Sequence, residues 1–398
     1  MLKQAWSQER LARLRTAIAS HVERGALPGV VYAVSRRGET YVEAIGTMDV
    51  ASDRPITRDA IFRMASLTKP VTAVAALILA EQGRLTLDEP IDRWLPELSE
   101  RKVLRHPDGP LDDTVPAQRP ITTRDLLTLK TGIGLVLKPP GSTPIQRAME
   151  EAGIAPGPNL PLLPPDEWMK RLGSLPLIHH PGEEWMYDTG IDILGILIAR
   201  ASAQSLATFM HEHIFEPLRM KDTAFAVSAE QLHRLPASYE TDWATGGLAI
   251  HDEPTSSRWL APSVFSSGSS GLVSTVDDYL AFYNMLLNKG TFEGGRILSR
   301  SAVEMLGSSH LTPSQRLNNR LLLDDGGSWG MGVGVTVERT RWFEAGIFGW
   351  SGGTGTSAYI DPKNEWIGIL LTQRMMDSAE PSPIFQEFWT AVNQAIND

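Results

Sequence analysis

The stretch FRMASLTKPVTAVAALILAEQGRLTLDEPI, residues 62–91, decides how the chain is read. Ile61–Ala65 leads into an apolar run over 71–80 that predicts a helix, and Gly83 is its expected stop because glycine accepts the left-handed conformation of a helix cap. At the start of that helix stands Ser66–Leu67–Thr68–Lys69. On a helix, positions i and i+3 share a face with Cβ atoms about 5–6 Å apart, so the hydroxyl of Ser66 and the amine of Lys69 can share a proton. A serine hydroxyl needs an adjacent base to become a nucleophile. Lysine serves as that base only when burial or a nearby positive group pulls its pKa down from about 10.4. The helix N-terminus also aims N–H groups and partial positive charge at the place where an oxyanion would develop. Alone, S-x-x-K recurs by chance, and its plain alternative is a capped helix with a surface lysine. The apolar helix behind Lys69 argues for a sheet–helix junction instead.

Outward from this stretch, the pattern changes period twice. Residues 8–24 read as an amphipathic helix, with Leu11, Leu14, Ile18 and Val22 at helical spacing. Residues 29–35 and 40–45 read as strands of a hairpin turning at 36–39. Helices are expected at 121–129, capped by Thr122 or Thr123, and at 191–199, 206–214 and 275–287, the last stopped before Gly290. Residues 134–165 carry eight prolines, which forbid a long regular element. Such an excursion is either a lid or pocket wall or a plain solvated loop. The last third is strand-like at 329–337, 344–348, 355–360 and 365–372, with a turn at 361–364 and a closing helix at 384–396. The simplest assembly is an α/β (α+β) architecture. In it, residues 1–62 and 294–398 form one mostly antiparallel sheet domain flanked by helices. Residues 63–293 form an inserted, mainly helical domain, with the site in the cleft between the two.

The 398 residues carry a net charge of -10, with no basic run to attract nucleic acid. There are no cysteines, which excludes disulfides and thiolate catalysis. Residues 1–20 are charged throughout and show no secretory signal, and no stretch of 18 apolar residues occurs, so a cytoplasmic location without membrane contact is the expectation.

Five segments, in order along the chain, resemble the serine β-lactamases and penicillin-binding proteins. They are 62–91, ITTRDLLTLKTGIG (121–134), HHPGEEWMYDTGIDILGILI (179–198), SSGSSGLVSTVDDYLAFYNML (266–286) and GWSGGTGTSAYIDP (349–362). The subgroup they most resemble is the family VIII carboxylesterases, which are similar to class C β-lactamases. The resemblance implies a β-lactamase/transpeptidase-like fold. It also implies Ser66 as nucleophile, Lys69 as its base and Tyr187 as a proton relay. It puts the oxyanion hole at the backbone N–H groups of Ser66 and Gly353, and substrate contacts at Trp350, Ser351 and Gly352. Tyr187 read without the motif order is an ordinary core tyrosine.

Two look-alikes need separating. Residues 349–353 fit G-x-S-x-G, the nucleophile elbow of another hydrolase fold. That reading needs a histidine after the serine, and all nine histidines precede Ser351. Lys130–Thr131–Gly132 spells the third β-lactamase motif but lies ahead of Tyr187, and reads as a helix terminus. His211–Glu212–His213 puts its histidines on different helix faces, poorly suited to metal.

Trp350 replaces the lysine with which β-lactamases hold a substrate carboxylate, and Thr189 replaces their asparagine. The expectation is a serine carboxylesterase that cleaves small carboxylic esters through an acyl-enzyme, with a small-molecule ester as its partner and neither metal nor organic cofactor. β-Lactamase, D-aminopeptidase or acyltransferase activity on the same site is the alternative within this chemistry. A non-catalytic scaffold resembling a penicillin-binding protein is the alternative outside it.

Overall fold

The computed structural model describes residues 5–157 and 159–396. Its centre is a seven-stranded, wholly antiparallel sheet. The strands are β1 (Gly29–Arg36), β2 (Glu39–Gly46), β3 (Gly327–Trp329), β4 (Gly334–Thr336), β5 (Phe348–Gly352), β6 (Thr356–Asp361) and β7 (Trp366–Thr372). Their spatial order is β3-β4-β5-β6-β7-β1-β2. The hairpin β1–β2 turns at Arg37 and Gly38, both at positive φ, as a two-residue turn of matching twist requires. The join between the two ends of the chain is β1 against β7, running from Val30 opposite Thr372 to Arg36 opposite Trp366.

Every residue of β1 and β7 is buried because helices cover both faces of the sheet. On one face lie α1 (Gln8–Glu23) and the C-terminal helix Pro383–Ala395, whose Leu14, Ile18, Phe388 and Trp389 pack with Tyr32, Trp366 and Leu370. The opposite face meets the larger core, which holds α2 (Thr68–Glu81), α3 (Thr189–Ser202) and α4 (Val276–Leu287). α2 has no solvent face: Thr68 through Leu79 are all buried, as expected of a helix apolar all round. Its polar groups are satisfied by the 268–272 loop. Thr72 Oγ1 donates to the Gly268 carbonyl at 2.6 Å, and Thr68 Oγ1 accepts from the Leu272 N–H at 3.1 Å. No single described helix is long and apolar enough to cross a membrane.

Several sequence expectations need adjusting. The single strand expected over 329–337 breaks into β3 and β4, because Gly330–Val333 forms the turn between them, with Gly332 at φ +75. The strand expected at 344–348 lies four residues later: Gly346 turns the chain at φ +96, and β5 starts at Phe348, so Trp350 sits within a strand. The helix expected over 206–214 stops at Met210 and widens into a π-turn over His211–Phe215. Within 134–165, Pro144 occupies the first position of a two-turn helix, Pro144–Glu151, where a missing N–H costs nothing. Thr122 caps its helix with a complete capping box.

β5 is pressed against the chain just ahead of α2. A Cβ on Gly352 would lie 2.4 Å from the Met64 carbonyl and 2.4 Å from Thr356 Oγ1, whereas one on Gly353 would meet nothing within 4 Å. Gly352→Ala should therefore push the strand away and destabilise the protein by about 1–3 kcal/mol, while Gly353→Ala should stay within about 0.5 kcal/mol of wild type. Denaturant midpoints of the two variants check this; equal midpoints would mean that the strand does not need this close approach.

Candidate active site

The turn that carries Ser66 is set by backbone and not by capping. Met64 N–H donates to the Leu272 carbonyl at 2.9 Å, Ala65 takes φ +43, and Ser66 lies in a 3-10 turn, Ala65–Leu67, that runs straight into α2. A positive φ at alanine costs energy and persists only where the surroundings enforce it. Here Tyr279 Oη from α4 donates to the Leu67 carbonyl at 2.5 Å, and β5 closes the other side.

One turn on, Lys69 is completely buried. Its Nζ donates to Ser66 Oγ at 2.8 Å and to the Ser269 carbonyl at 3.1 Å, and pairs with Asp188 Oδ1 at 2.6 Å. The ring of Tyr187 has its centroid 4.6 Å from the same amine. The pair expected from S-x-x-K is thus in hydrogen-bond contact, and the distant tyrosine is folded against it. The charge state differs from the sequence expectation. Burial, the largest influence, drives the amine down. The carboxylate of Asp188, then Tyr187, more than offsets it, and Lys69 sits above the ordinary lysine value. Burial alone would depress the lysine; the acid at the position after Tyr187 reverses that direction.

Asp188 is the residue the sequence reading missed. It stands in the N-cap position of α3, where an aspartate ordinarily caps, yet its side chain makes no capping bond. It sits at φ +82, ψ −70, with the Thr189 N–H donating to the Tyr187 carbonyl at 3.3 Å. That is the rare classic γ-turn, a strained conformation. Behind it, Asp192 accepts from Ser267 Oγ at 2.7 Å and from the N–H and hydroxyl of Ser269 at 3.0 and 2.9 Å. This ties down the loop whose carbonyl holds Lys69. Burial first, then the neighbouring Asp188, raises the Asp192 carboxyl to about 6, against the pull of its serine donors.

Tyr187 Oη accepts from Trp350 Nε1 at 2.6 Å. The two rings belong to an aromatic cluster with Trp185 and Trp329, whose neighbouring centroids are 4.8–6.0 Å apart. Ser66, Tyr187, Asp188, Trp350, Ser351 and Gly353 line one cleft of about 790 Å³. Gly352 does not line it; the Gly352 backbone faces Met64. Ser351 lines it, but its hydroxyl is paired with Ser357 Oγ at 2.9 Å on a strand, not on an elbow. The far wall was not legible beforehand: Trp342, Phe343, Met376, Phe385 and Trp389 make it aromatic and apolar. The proline-rich excursion adds Leu135, Pro156 and Gly157.

The remaining candidates lie elsewhere. Lys130 is half-buried and donates to the His310 carbonyl at 3.0 Å, past the end of its helix. His179 and His180 are outside the cleft lining. Among the described residues no group of three or more His, Asp or Glu is arranged to hold a metal ion.

Comparison with known proteins identifies the family. The Beta-lactamase family model matches residues 14–383. Protein Rv1367c of Mycobacterium tuberculosis is 34% identical over 372 residues, covering 91% of this chain and 90% of that protein. Esterase EstB of Burkholderia gladioli is 34% identical over 285 residues, 68% of each chain. The solved structure of EstCE1, described as a hydrolase with promiscuous acyltransferase activity, matches the fold with a TM-score of 0.83 at 23% identity, over 97% of this chain and 98% of that one. With a family match spanning most of its length, and with Ser66 and Lys69 paired at the head of α2 beside Tyr187, the chain belongs to the beta-lactamase family of serine hydrolases.

Proposed function

We propose that the protein is a carboxylesterase that cleaves carboxylic esters through an acyl-enzyme on Ser66. The observation that carries this reading is the 2.8 Å contact between Lys69 Nζ and Ser66 Oγ at the floor of an apolar cleft. Two features favour esters over β-lactams. Trp350 offers no cation to a substrate carboxylate, and its indole N–H is already engaged by Tyr187. Thr189 is buried with its hydroxyl unpartnered and does not line the cleft, so nothing there holds an amide side chain. The similarity to an esterase, EstB, points the same way.

In the proposed reaction the neutral form of Lys69, which grows in as pH rises, takes the Ser66 proton as Oγ attacks the ester carbonyl. The backbone N–H groups of Ser66 and Gly353 take the developing oxyanion, and Tyr187 gives its proton to the leaving alcohol and is reprotonated by the Lys69 ammonium beside it. Water then enters by the reverse route, frees the acid and restores Ser66. An alcohol in place of water gives acyl transfer. The apolar cleft, of a size that accommodates drug-like ligands, favours admitting one, and EstCE1 is described as having that second activity.

Ser66→Ala should lower turnover of a short p-nitrophenyl ester by on the order of 10³-fold or more, with mass spectrometry showing fluorophosphonate labelling lost from the 62–91 region. Ser351→Ala should stay folded and within a few-fold of wild type; the reverse pattern would refute the assignment. Trp350→Phe keeps a ring but removes the donor to Tyr187 Oη. It should cost roughly 10–100-fold in kcat with KM little changed, the loss expected of one strong hydrogen bond in the reacting network. An unchanged kcat would remove Tyr187 from the rate-determining proton transfer.

A further inference from the structure

The amine of Lys69 donates to Ser66 Oγ and to the Ser269 carbonyl and forms an ion pair with Asp188 Oδ1 at 2.6 Å. Two of these partners, a carbonyl and a carboxylate, only accept. The carbonyl takes one hydrogen of the amine in either of its protonation states, and the carboxylate draws a second toward itself. The third direction carries a hydrogen when the lysine is an ammonium and a lone pair when it is neutral. In both cases it points at Ser66.

We propose that Asp188 is a positioning residue for the reaction: together with the Ser269 carbonyl it fixes the rotation of the Lys69 amine, so that the site receiving the proton faces the Ser66 hydroxyl. This rests on the assignment of Ser66 and Lys69 made above and extends it to a residue to which the resemblance assigned no role, the one between Tyr187 and Thr189. The backbone supports a dedicated role. Asp188 holds φ +82 in a γ-turn, gives up the helix-capping bond its position offers, and is nearly buried, with a side chain 10% exposed. Strain of this kind is retained where the surrounding structure enforces it. Without Asp188, one direction of the amine would have no acceptor, and Nζ would be free to turn its lone pair away from Ser66.

The same carboxylate sets the pH at which the amine becomes a base. The ionisable groups around Lys69 are Asp188 and Tyr187 from one segment and, behind the 267–269 loop, Asp192. Asp188 raises the affinity of Lys69 for its proton, so neutral lysine, and with it activity, grows as pH rises into the alkaline range. Removing the negative charge leaves burial opposed by Tyr187 alone. The lysine then sheds its proton at lower pH, and the ascending limb moves to the acid side.

Asp188→Asn keeps an acceptor oxygen and tolerates the positive φ, but carries no charge. Asp188→Gly tolerates the backbone and offers no acceptor. The experiment is the pH dependence of kcat/KM and kcat on a short p-nitrophenyl ester for the wild type and both variants. Thermal melting and fluorophosphonate labelling of Ser66 run alongside. Expected for Asp188→Asn is an ascending limb displaced by about one pH unit or more toward acid. Expected for Asp188→Gly is a plateau kcat lower by about 10-fold or more with KM little changed, because the amine is no longer held in register. Coincident limbs for wild type and Asp188→Asn, or a wild-type plateau in Asp188→Gly, would overturn the proposal while labelling of Ser66 kept the esterase reading intact. Failure to label Ser66 in the wild type would overturn that reading, and the proposal with it.

Discussion

The structure turns on a buried amine. Lys69 lies at the head of a helix with no solvent face, and an ammonium there without partners would be intolerable. Three separate parts of the chain meet to satisfy it: the turn bearing Ser66, the loop that ends at Ser269, and the γ-turn at Asp188. Breaking a buried ion pair by removing one partner typically costs several kcal/mol. The need to neutralise this one group therefore ties α2 to α3 and to the serine-rich loop. What looks like a catalytic arrangement is also the polar keystone of the interior.

Much of this could be read from the sequence. The unbroken apolar run of α2, the spacing of Ser66 and Lys69, the strand-like last third and the order of five segments were enough to read the fold and the family, and Ser66, Lys69 and Tyr187 do lie together in the structure. Element boundaries were misjudged where single glycines turn the chain, at Gly332 and Gly346, because a glycine inside a strand-like pattern does not announce whether it bends the strand or ends it. Asp188 was missed for a different reason. An acid just ahead of an apolar helix is the ordinary signature of a cap, and only the three-dimensional course of the chain shows its carboxylate turned inward to Lys69. The far wall of the cleft was equally hidden: Trp342, Phe385 and Trp389 look like core residues in sequence, and become a wall only when the C-terminal helix folds back beside β5 and β6.

The close fit of β5 against the nucleophile turn links fold to site. Gly352 lets the strand touch the Met64 carbonyl, and Gly353, next in line, opens onto the cleft. Adjacent glycines thus answer opposite requirements, one for contact and one for access. Trp350, two residues earlier, reaches across to Tyr187, so one short strand supplies both the edge of the cleft and a hydrogen bond to its phenol.

The pairing of β1 with β7 has a consequence for how the molecule comes into being. Val30 finds its neighbour at Thr372, so the middle of the sheet waits until about 340 further residues have been made. Until then β1 and β2 are a hairpin with an unsatisfied edge, and the helical segments between them and the last strands must collapse without the surface they will rest on. Such long-range closure slows folding and leaves apolar edges open to neighbouring chains. Truncation or ribosome stalling shortly before β7 would therefore yield an aggregation-prone intermediate and not a partly working enzyme.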